Sequence, residues 1–62
     1  MNEEITTIEY WYDRRSRNWI VQLKDKDDNQ IGEAFYSGTR SDCLSIVKSK
    51  TIDYPKAEVI HT

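Results

Sequence analysis

Trp19-Ile20-Val21-Gln22-Leu23-Lys24 alternates with a period of two, setting Trp19, Val21 and Leu23 on one face and Gln22 and Lys24 on the other. A run of this kind is a strand with one buried face, and the rest of the chain is read outward from it. Upstream, residues 4–12 repeat the alternation: Ile8, Tyr10 and Tyr12 share one face, while Thr7, Glu9 and Trp11 share the other. Between the two runs lies Asp13-Arg14-Arg15-Ser16-Arg17-Asn18, whose Asp, Ser and Asn side chains bond their own backbone and suit a turn, so the pair forms a hairpin. Downstream, residues 25–29 make a second polar turn, and residues 30–36 read as a third strand with Gly32 at a bulge or a close approach. If Ala34 and Tyr36 face the core, Ile31 does not, unless a bulge shifts the register.

After Ser37-Gly38 the period changes. Thr39-x-x-Asp42 is a helix start, with a hydroxyl to cap amides and a carboxylate near the positive end of the helix. The spacing predicts a short helix over residues 40–50, with Cys43, Leu44 and Val47 as its apolar stripe, Ile46 at the stripe's edge, and Lys48 and Lys50 in the last turn. Pro55 makes residues 51–55 a connector, and residues 57–61 can close the chain as a fourth strand. The expected fold is α+β: a three-stranded antiparallel sheet packed by one short helix, in the order β-β-β-α-β. Trp19, Val21, Leu23, Leu44 and Val47 are its expected sheet-to-helix core.

Sixty-two residues and 7.4 kDa make a single domain, residues 1–62. A domain of this size buries only about 60% of the surface its unfolded chain exposes, which argues against a large internal active-site cavity. So small a core also leads us to expect a homodimer in which exposed edge strands pair with another copy and bury Trp11 or Tyr12. There is no run of eighteen apolar residues, and Met1-Asn2-Glu3-Glu4 lacks the basic and apolar regions of a signal peptide. A soluble, cytoplasmic chain with no membrane partner is expected, and the single Cys43 agrees, since one thiol builds no internal disulfide framework.

Chemistry-bearing groups are sparse. The one histidine, His61, is penultimate, where a positioned base is hard to hold. Cys43 falls on the apolar stripe and reads as a small core residue. With no CxxC and no paired histidines, no structural zinc site is expected. Asp25-Lys26-Asp27-Asp28-Asn29 resembles the opening of a calcium loop, but Gln30 and Tyr36 stand where glycine and glutamate are required. Two glycines in the chain leave no phosphate-cradling loop. We therefore expect no catalytic residue, no cofactor and no metal, and a non-enzymatic protein.

One constellation remains. Arg14, Arg15 and Arg17 lie at the hairpin tip, bracketed by Trp11, Tyr12 and Trp19. Guanidinium forks grip carboxylate or phosphate oxygens, and aromatic rings fill pockets on a partner or stack on bases. A net charge of −2 opposes an obligate phosphate-backbone binder, although the charge is patchy, with Asp25, Asp27 and Asp28 gathered in the next turn.

Two resemblances bear on this. Trp19-Ile-Val-Gln-Leu-Lys, Asn29-Gln-Ile-Gly-Glu-Ala-Phe-Tyr-Ser, Ser45-Ile-Val-Lys-Ser and Lys56-Ala-Glu-Val resemble one repeat of the YegP-like family of small bacterial proteins, over roughly residues 8 to 61. Asn29 precedes Gln30 rather than the family's glycine, and Ile46-Val47-Lys48 lacks its intervening serine. The resemblance implies a β-β-β-α unit that pairs with a second copy, and implies no catalytic residue. In topology the chain is also similar to AP2-type and integrase N-terminal DNA-binding domains, with Arg14, Arg15, Arg17, Trp11 and Trp19 as the matching residue types. The expected function is thus binding of a protein partner, in the manner of a phage-type inhibitor or accessory protein, through Arg14, Arg15, Arg17, Trp11 and Tyr12. Nucleic acid is the alternative partner.

Overall fold

The computed structural model describes residues 4–62. Residues 1–3, part of the stretch read as lacking a signal peptide, lie outside the described residues. The fold is α+β, and its elements run β1 (Thr7–Asp13), β2 (Asn18–Lys24), β3 (Phe35–Ser37), α1 (Arg40–Asp53) and β4 (Glu58–His61). The three expected antiparallel strands are present, and the segment read as able to form a fourth strand joins them as Glu58–His61, so the sheet is four-stranded and mixed, ordered β3-β2-β1-β4. β1, β2 and β3 form an antiparallel meander, and β4 joins parallel to β1 after the helix has carried the chain back across the sheet.

The alternation of the first two strands holds. In register, Ile8 stands opposite Leu23, Tyr10 opposite Val21 and Tyr12 opposite Trp19, so all six share the face that α1 covers. Ile8, Val21 and Cys43 are fully buried there, joined by Ile5, Leu23 and Val47, with Tyr10, Trp19, Ile31, Phe35 and Ile46 packed around them. Because its surroundings are apolar, burial pushes the Cys43 thiol above its ordinary value.

The third segment departs further from its alternation. Gln30 bridges Lys24 and Phe35 pairs with Val21, so residues 31–34 stand opposite Gln22 and Leu23 alone. This double insertion preserves parity: Ile31 and Phe35 both reach the core, and Tyr36 points the other way at 64% exposure. Gly32 sits in the bulge at φ +71° with nothing near the position of a Cβ, so its role is left-handed backbone rather than close approach.

Thr39 caps the helix as expected, its Oγ1 accepting from the Asp42 amide at 3.1 Å. The helix runs to Asp53, three residues past the expected end, so Lys50 but not Lys48 lies in the last turn. Lys50 Nζ sits 4.5 Å from the centre of the Phe35 ring. Leu44 requires a correction: it is 40% exposed and outside the core, whereas Cys43, Ile46 and Val47 face the sheet. The stripe is narrow because the helix touches the sheet mainly along β1, β2 and β3, and Leu44 falls on its flank.

Two substitutions separate these positions. Ile8→Ala, which empties a fully buried site, is expected to cost about 2 to 5 kcal/mol. Leu44→Ala should stay within about 1 kcal/mol, as for an ordinary surface change. Urea melts followed by circular dichroism measure both, and a Leu44→Ala loss equal to that of Ile8→Ala would place Leu44 back in the core.

Candidate functional site

The antiparallel register brings the β1–β2 turn to one end of the sheet. Asp13 pairs with Asn18, and residues 14–17 close the loop between them. Asp13 is committed to the turn: Oδ1 accepts from the Arg15 amide at 3.2 Å and Oδ2 from the Ser16 hydroxyl at 2.8 Å. Arg14, Arg15 and Arg17 are all exposed, and among the described residues no carboxylate pairs with any of them. Arg17 adopts φ +58°, a left-handed conformation that glycine or asparagine would occupy with less strain.

The aromatic neighbours of this turn divide between the two faces of the sheet. Trp11 lies on the helix-free face, next to Ile20, which stands next to Tyr36, giving an apolar row across three strands. Ile20, at 8% exposure, is the one buried hydrophobic residue of this face among the described residues. The bulge at residues 31–34 raises a wall beside it. The result is a groove of about 440 Å³ with Trp11, Ile20, Ala34 and Tyr36 as its apolar surface and Gln22, Gln30 and Glu33 as its polar rim. Gln22 Nε2 donates to Gln30 Oε1 at 2.7 Å and Gln30 Nε2 to the Gly32 carbonyl at 3.1 Å, which fixes the rim.

Tyr12, half exposed, lies on the opposite face against Trp19, with ring centres 5.4 Å apart. Behind them His61 stacks flat on Tyr10 at 4.6 Å and 2°. His61 ends the segment that the sequence allows as a fourth strand; its place beside Tyr10 follows from a parallel pairing that strand alternation alone does not reveal. The five residues singled out in the sequence thus share one end of the hairpin, with Trp11 facing one way, Tyr12 the other, and the three arginines between them. Tyr36 and Ile20 were missed as site residues. Both were read in strands, but the bulge that builds the groove has no alternation to expose it.

The acidic turn lies at the other end of β2, about 23 Å away by strand rise. Asp25 Oδ1 accepts from the amides of Asp27 and Asn29, both at 2.9 Å, which organises the loop. Lys24 Nζ bridges Glu9 at 3.3 Å and Asp28 at 3.2 Å on the helix-free face. Among the described residues no three His, Cys, Asp or Glu side chains gather as metal ligands, and no helix is long and apolar enough to cross a membrane. The chain matches no family model, no curated protein and no solved structure. The YegP-like and AP2-type resemblances therefore stand on the residues alone.

Opposite pH limits follow from the acidic end. The amide of Asn29 first, then that of Asp27, holds the Asp25 carboxyl below its ordinary value of 3.8. Its contribution to stability is full above that value and is lost as pH falls through the lower folded value. The hydrogen bond to Asp28, with Glu9 adding and partial burial opposing, raises Lys24 above 10.5. That contribution is present below 10.5 and disappears as pH rises through the folded value. Denaturation midpoints across pH should show Asp25→Ala flattening only the acid limb and Lys24→Met only the alkaline limb. Limbs unchanged by these substitutions would contradict the assignment.

Proposed function

We propose that the protein is a non-enzymatic binding module whose hairpin end grips an acidic surface on a protein partner. The observation that carries this reading is the set of three guanidinium groups beside the Trp11 groove that, among the described residues, form no ion pair with a carboxylate, one of the three arginines being held in a strained backbone conformation. Strain of this kind costs on the order of 1 to 2 kcal/mol, and a turn needing only solubility would be served by asparagine or glycine at position 17. In a protein complex the arginines take carboxylates at the rim, while Trp11, Ile20 and Tyr36 supply the apolar centre that interfaces require. Tyr12 is reached by a partner that wraps around the tip.

Nucleic acid is the second reading, and one observation favours it: the acidic turn lies more than two Debye lengths from the arginines at physiological salt, where that length is about 8 Å, so it barely screens them. Against it, the chain carries a net charge of −2 and the hairpin presents three cations where extended duplex contacts need more.

The expected outcome is that wild-type protein captures a host protein from nuclease-treated lysate. Capture should be lost on substituting Arg14, Arg15 and Arg17 by alanine and, separately, on Trp11→Ala. Filter binding at about 0.15 M salt should then show negligible affinity for DNA and RNA. Sub-micromolar nucleic-acid binding that vanishes in the triple variant would replace the protein reading with the second one. Arg17→Gly should leave stability equal or higher, by up to about 1 kcal/mol, while weakening capture.

A further inference from the structure

β4 is an edge strand whose outer side has no partner within the described chain, and its geometry is self-complementary. The Glu58 amide donates to the Thr6 carbonyl at 2.9 Å and the Thr62 amide to the Tyr10 carbonyl at 3.0 Å. In a parallel ladder alternate residues direct both backbone groups toward the neighbouring strand, so Glu58, Ile60 and Thr62 face β1 while Val59 and His61 present N–H and C=O groups outward. The helix sits mainly over β1, β2 and β3, and Val59, on the helix side of β4, remains 43% exposed. At the other edge, β3 has three residues and lies under α1, which makes it a poorer template.

We propose that β4 is the interface for a second copy of this chain, paired antiparallel across a two-fold axis at Ile60. Opposed residues in an antiparallel pair share a face, which allows an axis at Val59 or at Ile60 but not between them. The Ile60 register sets Val59 opposite the partner's His61, and each such pair exchanges both outward-facing backbone bonds. The Val59 register would need the Ala57 amide, which is already bonded to the Tyr54 carbonyl at 3.0 Å. With the axis at Ile60, the exposed Val59 packs on an imidazole already fixed by its stacking on Tyr10, and the two Ile60 side chains meet on the helix-free face. Glu58 lies opposite the partner's Thr62, so no like charges oppose one another. The result is a continuous eight-stranded sheet, with the two arginine tips at opposite ends and the Trp11 grooves uncovered.

So narrow a contact gives a weak, concentration-dependent dimer. Sedimentation equilibrium from micromolar to millimolar concentration should show mass rising from monomer to dimer. Amide exchange at Val59 and His61 should slow over the same range while that at Ile60, already bonded to β1, changes little. Val59→Lys, at an exposed site, and Val59→Pro, which removes only an outward donor, should each abolish the rise with circular dichroism unchanged. Tyr36→Ser, on the helix-free face, should leave it intact. A monomer at every concentration, a dimer that survives both Val59 variants, or one abolished by Tyr36→Ser would overturn the proposal.

Discussion

One fourteen-residue helix can cover only one face of a four-stranded sheet, and the organisation of this molecule follows from that shortage. On the covered side Ile8 and Val21 meet Cys43 and Val47 and build a core free of buried polar side chains among the described residues. The uncovered side must still shield Ile20 at the centre of the sheet. It does so with Trp11 and Tyr36 on the flanking strands and with a bulge of extra backbone, and these same devices create the groove. The shield over Ile20 and the groove are one construction. A surface whose aromatic walls are anchored in neighbouring strands is also preorganised, so a ligand there would order few side chains on arrival.

The parts legible in the sequence were those with local causes. Two clean alternations marked β1 and β2 and a short polar turn joined them as a hairpin, and a hydroxyl followed by an aspartate marked the start of α1. The rest turns on relations between distant segments. Leu44 sits in an apolar stripe by spacing, yet whether a flank is buried depends on where the helix axis crosses the sheet, which no window of the helix encodes. The parallel addition of β4 depends on the helix crossover, and the phase of residues 30–36 depends on inserted residues that leave Ile31 and Phe35 four apart rather than two. At the site, the arginines and Trp11 were visible as a cluster, whereas their partition between two faces followed from the strand pairing, and Tyr36 joined them only through the bulge.

Charge is arranged along the molecule rather than balanced locally. The arginine turn and the aspartate turn cap opposite ends of β2, and each is organised by a carboxylate that bonds its own loop, Asp13 at one end and Asp25 at the other. Lys24 is drawn into the acidic end by Glu9 and Asp28, whereas among the described residues the three arginines of the other end form no ion pair and have Asp13 as the carboxylate of their own turn. A small acidic protein can therefore present a distinctly positive end, whose field would orient the approach of an acidic surface before any contact formed.

The parallel pairing of β4 with β1 also sets an order of events during folding. The β1–β2 hairpin closes a loop of a few residues, a microsecond process. The Thr7–Glu58 pair must join positions about fifty residues apart, which by loop-closure entropy alone costs up to about 2 kcal/mol more. The hairpin therefore forms first, and β4 docks only after α1 has bridged the sheet and shortened the effective loop. On the ribosome, β1 would wait with one edge unpaired until residues 58–61 emerge, so this strand edge is the place where a nascent chain is exposed to mispairing.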